Sequence, residues 1–178
     1  VRRTRKDSQL HATVVSACFP SSQSFLEVKV KESEMAVEQG ADEVDIVLAL
    51  NHFLVGEYDQ AAAEIVAVRQ AVDRVAASQG RKVILKVILE TGLLQSLESI
   101  AAASFLAMEA GADFIKTSTG FSTGGATVED VKLFRQHISP DLRIKAAGGI
   151  RSFEQAQAML DAGAERIGAS ALAALMEE

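Results

Sequence analysis

Apolar runs alternate with amphipathic stretches along the chain, and this pattern predicts strands and helices in turn. Three segments repeat one form, in which a helix ends, a Gly-Ala-Asp/Glu turn follows and a strand rich in β-branched residues begins: AVEQGADEVDIVLAL, AMEAGADFIKTSTG and MLDAGAERIGAS. Six strands are predicted, near residues 12–18, 43–49, 83–89, 113–118, 143–147 and 165–168. The units recur at roughly 30 residues, the length of a strand plus a crossover helix, so the strands are expected to run parallel.

Residues typical of helix ends support these boundaries. Two segments have the capping-box pattern at a helix start, Ser24-x-x-Glu27 and Ser152-x-x-Gln155, and Thr127 is predicted to cap the helix VEDVKLFRQHI. Three glycines are predicted to end helices in the left-handed conformation, which glycine adopts without a Cβ clash: Gly40, Gly111 and Gly163.

Two α/β architectures have such a repeat. A doubly wound open sheet usually carries a glycine-rich turn directly after its first strand, whereas the first predicted strand here is followed by PSSQS. A (β/α)8 TIM barrel has eight units in about 250 residues, and six units in 178 residues are three quarters of it. We therefore predict that residues 1–178 form a single, incomplete TIM-barrel domain. It would cover strands 3 to 8 of the barrel, and the two N-terminal units would be absent from this chain.

Composition and charge narrow the classes of function. The formal net charge is −6, both signs are mixed along the chain and no basic stripe appears, which argues against a nucleic-acid partner. No run reaches the eighteen apolar residues of a membrane span, and no secretory signal follows Val1. The single cysteine, Cys18, forms no disulfide within the chain and suits a reducing compartment. A cytoplasmic protein without a membrane partner is therefore predicted.

Charged residues interrupt four consecutive predicted strands. Asp45 lies in EVDIVLAL, Lys86 in VILKVILE, Lys116 in DFIKTST and Lys145 in RIKAAGG, although parallel strands buried on both faces should be almost wholly apolar. Neighbouring barrel strands would direct all four side chains into one lumen. Since an unpaired buried charge is too unfavourable to keep, the group predicts a functional site. A structural salt-bridge network is the alternative.

Two lysines on adjacent strands favour imine chemistry. A lysine amine attacks carbonyls only when it is neutral, and its ordinary pKa is about 10.4. A second ammonium about 6 Å away disfavours the charged form by roughly 3 kcal/mol at an effective dielectric of about 20, which lowers the pKa by about two. A neighbouring carboxylate, Asp45, would move protons at the carbon next to the imine. The hydroxyls of Thr117, Ser118 and Thr119 would position substrate or water, or are ordinary turn residues.

Glycines near the C-terminus predict an anion site. Gly148 and Gly149 precede the helix start at Ser152, and Gly168 and Ser170 precede another predicted helix. Glycines ahead of a helix let backbone N–H groups approach an anion, and barrels often hold phosphate in the loops after their last two strands. Arg151 either adds charge to this site or pairs with Glu154.

Five segments, GADEVDIV, LKVILET, ADFIKTSTGF, IKAAGGIR and RIGAS, together resemble the deoxyribose-phosphate aldolases. The resemblance runs from about Ala12 to Ala173, and DFIKTSTG followed about thirty residues later by KAAGGIR is its most specific part. It implies a class I, metal-independent aldolase on a (β/α)8 barrel. Such an enzyme reversibly cleaves 2-deoxy-D-ribose 5-phosphate to D-glyceraldehyde 3-phosphate and acetaldehyde, needs no cofactor and serves deoxyribonucleotide catabolism. A homodimer is a possible assembly.

Matching positions imply a role for each site residue. Lys116 would form the Schiff base, Lys145 would lower the pKa of Lys116, and Asp45 would transfer protons, while Lys86 and Thr117 would support them. The phosphate of the substrate would lie at five further residues: Gly120, Gly148, Gly149, Gly168 and Ser170.

The chain also departs from the family pattern. The family begins with a strand carrying an IDHT-like motif and a second strand with a Cys-Val segment, and neither is present here. VVSACFPSSQ stands where the family commonly has VVGFPxG, so that Pro20 is retained without its glycines, and Ala171 stands where some members have serine. Three hypotheses follow: a working aldolase, a non-catalytic barrel remnant that binds phosphorylated sugars, and a Schiff-base aldolase with a different donor.

Overall fold

The computed structural model describes residues 10–94 and 96–170, and it contains all six predicted strands. The helix predicted after Ser170 and the serine-to-alanine difference at Ala171 lie outside the described residues. The strands are β1 (Thr13–Val15), β2 (Glu43–Val47), β3 (Ile84–Ile88), β4 (Phe114–Lys116), β5 (Arg143–Ala147) and β6 (Arg166–Gly168). The helices are α1 (Leu26–Glu38), α2 (Leu50–Phe53), α3 (Tyr58–Ser78), α4 (Leu97–Glu109), α5 (Val128–His137) and α6 (Phe153–Asp161), with a 3-10 turn at Thr91–Leu93. None of these helices is long and apolar enough to cross a membrane.

The six strands run parallel and follow one another in chain order, which confirms the α/β class and the predicted strand sequence. The register matters for the chemistry, because residues that are partners across two parallel strands lie on the same face. Val15 is the partner of Asp45, and Lys116 is the partner of Lys145. Lys145 is in turn the partner of Arg166.

The described residues divide into two compact units. The first unit holds residues 10–87 and 109–113, and the second unit holds residues 88–94, 96–108 and 114–170. In the first unit α1 packs against α3, and the side chains of Val37, Val44 and Ile65 are buried. In the second unit α5 and α6 pack against each other, and Phe134 and Ile144 are buried. Each unit thus has its own apolar core.

Helix ends follow the sequence prediction with one exception. The three glycines after helices all have left-handed φ angles, of 98°, 91° and 112°: Gly40, Gly111 and Gly163. The hydroxyls of Thr127 and Ser152 accept hydrogen bonds from the N–H groups three residues ahead, which is capping geometry. The cap predicted at Ser24 is wrong. Helix α1 begins after Phe25, whose carbonyl accepts from the N–H groups of Val28 and Lys29, so the helix starts one residue later than the pattern indicated.

Candidate active site

A cavity of about 520 Å³ lies in the second unit, where strands β4, β5 and β6 end. The residues that line it are Lys116, Thr119, Gly120, Lys145, Ala147, Gly148, Gly149, Ile150, Arg151, Gly168, Ala169 and Ser170. Both predicted reactive lysines and all five predicted phosphate-site residues are among them. Residues that are up to 54 positions apart in the sequence therefore meet around one space.

The two lysines of this cavity are held side by side by the sheet register. Lys116 in β4 and Lys145 in β5 are direct partners, and hydrogen-bonded strands lie about 4.8 Å apart. The side chain of Lys116 is only 6% exposed, and Lys145 is half-buried. The register therefore brings two basic side chains to one wall of the cavity.

The cavity has the chemistry of an anion site. Among the described residues that line it, three are cationic and none is acidic. Its glycines at positions 120, 148 and 149 have φ angles of 89°, 94° and 76°, which are left-handed conformations that other residues rarely adopt. Arg151 contributes to the lining, while the Glu154 carboxylate accepts a hydrogen bond from the Ser152 hydroxyl, which lowers the pKa of Glu154. The arrangement therefore supports the charge-adding alternative for Arg151.

Close contacts between backbones shape the wall of this cavity. A Cβ added to Gly125 would lie 2.7 Å from the carbonyl oxygen of Gly148, and one added to Gly124 would lie 2.7 Å from the Cα of Gly92. Ala126 also donates its N–H to the Gly148 oxygen at 3.0 Å. The backbone of the loop after β4 therefore contacts the backbones of the loops that follow β3 and β5. Only glycine permits backbones to come this close.

The two hydroxyl residues after Lys116 differ in their surroundings. The Thr117 hydroxyl donates to the Ala147 carbonyl at 2.9 Å and accepts from the Ala147 N–H at 3.1 Å, so it ties the end of β4 to the end of β5. Ser118 is fully buried, and its Oγ has no hydrogen-bond partner in the described part of the chain. Neither residue lines the cavity.

This contrast predicts unequal effects of two substitutions that each remove a hydroxyl group. Thr117→Val should lower the free energy of unfolding by about 2 kcal/mol, because both backbone groups of Ala147 lose a buried partner. Ser118→Ala should change it by less than about 1 kcal/mol, since no hydrogen bond within the chain is broken. Urea unfolding of the two variants measures the difference, and equal losses would contradict the assignment of the Thr117 bridge.

A second group of charges is buried in the first unit. The Lys86 ammonium lies 2.5 Å from a Glu43 oxygen and 2.6 Å from an Asp45 oxygen, and all three side chains are at most 2% exposed. Glu43 also accepts from the Thr13 hydroxyl at 2.8 Å. Two of the predicted site residues, Asp45 and Lys86, thus form an ion pair, as a salt-bridge network would require. Glu43 was not predicted, although its position two residues before Asp45 places it on the same face of β2.

Comparison with known proteins identifies the family. Residues 8–177 match the profile of the DeoC/LacD family aldolases. The chain belongs to this aldolase family. The deoxyribose-phosphate aldolase of Thermococcus gammatolerans is 50% identical over 159 residues, which are 89% of this chain and 68% of that protein. The deoxyribose-phosphate aldolase of Caldanaerobacter subterraneus subsp. tengcongensis is 48% identical over 173 residues, which are 97% of this chain and 72% of that protein.

Solved structures of aldolases have the same fold. QR15, an aldolase, superposes with a TM-score of 0.84 at 39% identity, over 92% of this chain and 70% of that chain. The deoxyribose phosphate aldolase from Aeropyrum pernix, which has a unique tetrameric structure, superposes with a TM-score of 0.80 at 31% identity, over 94% of this chain and 67% of that chain. The family resemblance stated from the sequence motifs is therefore confirmed, and the cavity described above belongs to an aldolase-family chain.

Proposed function

We propose that this protein is a deoxyribose-phosphate aldolase that cleaves 2-deoxy-D-ribose 5-phosphate reversibly through an imine on Lys116. The observation that carries the proposal is the pairing of Lys116 with Lys145 in a cavity that has no acidic lining residue in the described part of the chain. A buried amine beside a second cation suits attack on a carbonyl, and a cationic, glycine-rich wall suits a phosphate ester.

The substrate reacts while it is bound covalently to Lys116. The Lys116 amine adds to the C1 aldehyde of the open-chain sugar phosphate, and protonation with loss of water gives the iminium, the protonated imine. The C3 hydroxyl then gives its proton to a general base, the C2–C3 bond breaks, and C3 becomes the aldehyde of glyceraldehyde 3-phosphate. The bonding electrons pass through C2 to the iminium nitrogen and leave a neutral enamine. Protonation of C2 and hydrolysis release acetaldehyde and restore the amine.

Lys145 keeps the nucleophile reactive at neutral pH. Its charge disfavours protonation of the neighbouring Lys116 amine and thus lowers the pKa of Lys116. The burial of Lys116 acts in the same direction, because a desolvated ammonium is disfavoured. Lys145 therefore modulates the nucleophile, and Lys116 alone forms the covalent bond.

Asp45 carries the protons to and from C2 in this proposal, and Lys86 supports it. The assignment rests on the family motif GADEVDIV and on the ion pair that fixes the Asp45 carboxylate to the Lys86 ammonium. A carboxylate with a fixed orientation is a suitable general acid and base.

The phosphate group binds at the glycine-rich wall of the cavity. The backbone N–H groups that follow β5 and β6 offer hydrogen bonds to phosphate oxygens, and Arg151 adds positive charge at the same wall. The residues assigned to this subsite are Gly120, Gly148, Gly149, Gly168 and Ser170.

The same proposal extends to the architecture and setting of the enzyme. Strands β1 to β6 are proposed to be the third to eighth strands of a (β/α)8 barrel, and the chain spans about seven tenths of its curated relatives. The imine route assigns every step to side chains, so a metal-independent lyase is proposed. Its proposed location is the cytoplasm, and its proposed assembly is a homodimer.

Borohydride trapping tests the chemistry directly. Acetaldehyde condensed with the active amine and reduced by borohydride should leave an ethyl group on Lys116, which peptide mapping by mass spectrometry would locate. Label on Lys86 or Lys145 instead would overturn the assignment of the nucleophile. A folded protein that takes up no label would favour a non-catalytic barrel. Trapping with another carbonyl donor in place of acetaldehyde would indicate a different donor preference.

A further inference from the structure

Glu90 is a buried carboxylate that has no role in the proposed mechanism. It follows β3 with a φ angle of 56° and a ψ angle of 58°, a left-handed conformation that disfavours any residue with a Cβ. Its side chain is 3% exposed. Glycine would fit this backbone without strain, so the side chain itself has to account for a glutamate at this position.

The Glu90 carboxylate contacts a residue that lines the cavity. Its two oxygens accept from the Thr119 N–H at 3.2 and 3.4 Å, and one of them also accepts a hydrogen bond from the Thr119 hydroxyl. The Thr119 hydroxyl in turn accepts from the Phe121 N–H at 3.1 Å. Glu90 thereby fixes both the side chain and the backbone of Thr119, and through Thr119 the position of Phe121.

Gly120 lies inside the segment that Glu90 holds. Its φ angle is 89°, and no atom lies within 4 Å of its Cβ position, so that packing does not restrict its conformation. The hydrogen bonds from Thr119 to Glu90 and from Phe121 to Thr119 hold the residues on both sides of Gly120. Without them, two lining residues of the cavity would be free to take other conformations.

Lys116 is held by different contacts. Its carbonyl accepts from the Leu89 N–H at 2.9 Å, and its strand pairs with β5 through the register of Lys116 with Lys145. These bonds do not involve the Glu90 side chain. Loss of the Glu90 carboxylate should therefore disturb the wall of the cavity while the nucleophile stays in place.

We propose that Glu90 is a positioning residue that holds Thr119 and Gly120 in the conformation that binds the phosphorylated substrate. The inference rests on the proposed function of the cavity. It makes Glu90 a determinant of KM for the sugar phosphate, and it leaves imine formation with a small aldehyde unaffected.

Two variants of Glu90 and one control test this role. Glu90→Gln keeps the shape but offers one acceptor where two are used, and Glu90→Gly removes the side chain while it relieves the left-handed backbone. Both should raise KM for 2-deoxyribose 5-phosphate by about ten- to a hundredfold, the size expected for lost hydrogen bonds to a charged group. Asp130→Asn is the matched control, because Asp130 accepts from the Thr91 hydroxyl at 2.9 Å in the same unit but does not touch a lining residue. It should leave KM unchanged.

Two measurements, KM and the trapping rate, distinguish a positioning role of Glu90 from a general loss of structure. In both Glu90 variants the rate of borohydride trapping with acetaldehyde should stay within about threefold of the parent protein, which is less than 1 kcal/mol. In a double-mutant cycle with Thr119→Val, the KM effects should be far less than additive, since both changes break the same contact. An unchanged KM in either variant, additive effects, or a trapping rate that falls in parallel with substrate binding would each overturn the proposal. A parent protein that traps no acetaldehyde on Lys116 would instead defeat the proposed function, and this inference with it.

Discussion

Replacement of Lys145 by leucine should slow the reaction at pH 7 about a hundredfold and should leave an enzyme that recovers as the pH rises. The removed ammonium accounts for roughly 3 kcal/mol of repulsion at Lys116, which corresponds to a hundredfold change in the fraction of neutral amine. A nucleophile whose pKa has risen is deprotonated again at pH 9 to 10. The rate of borohydride trapping as a function of pH measures this shift directly.

Two further variants serve as controls for this pH profile. Lys116→Leu should lower activity by several orders of magnitude with no recovery at high pH, because the nucleophile itself is gone. Asp45→Asn should still trap acetaldehyde, whereas proton exchange on the methyl carbon of bound acetaldehyde should slow by about 10²- to 10⁴-fold. If all three proteins melt at much lower temperature and none recovers with pH, the lysines and Asp45 form only a structural charge network.

Replacement of Lys86 by methionine should destabilise the protein by about 3–5 kcal/mol. The change leaves the fully buried carboxylates of Glu43 and Asp45 without the ammonium that both contact. Thermal and urea unfolding followed by circular dichroism would measure the loss.

Lys29 provides a matched comparison for Lys86. It is also buried, and its ammonium lies 2.5 Å from a Glu64 oxygen, but the Glu64 side chain is 16% exposed and keeps contact with water. Lys29→Met should therefore destabilise the protein clearly less than Lys86→Met, since a partly hydrated carboxylate loses less when its partner is removed. Equal losses would mean that the second carboxylate of the Lys86 cluster adds nothing.

Local patterns in the sequence were sufficient for the strands, for most helix ends and for the paired lysines. The apolar residues around Lys116 and Lys145 placed both lysines on buried strands, and the parallel register then made them neighbours. Glycines with left-handed φ angles were predictable in the same way, because the conformation they allow is a property of the residue itself.

Glu90 was not predictable, because it contacts Thr119 in the loop after β4, and the sequence does not fix the course of that loop. A glutamate at a strand end is usually solvated, and nothing local distinguishes one that is buried by a later segment. Glu43, which contacts Lys86, did have a signal, since it lies two residues before Asp45 on the same face of β2. The cap predicted at Ser24 is wrong for a different reason. The segment has the capping-box residues, but helix α1 begins one residue later, so that Phe25 occupies the cap position.

The backbone contacts of Gly92 with Gly124 and of Gly125 with Gly148 identify positions at which this enzyme does not tolerate substitution. Libraries that vary these four positions should consist mostly of misfolded clones, because any Cβ there meets another backbone within 3.3 Å. Phe121, by contrast, lies in the same loop with its side chain 76% exposed, so it tolerates exchange without strain. Directed evolution toward new acceptor aldehydes should therefore draw its diversity from the exposed rim of this loop and keep its glycines invariant.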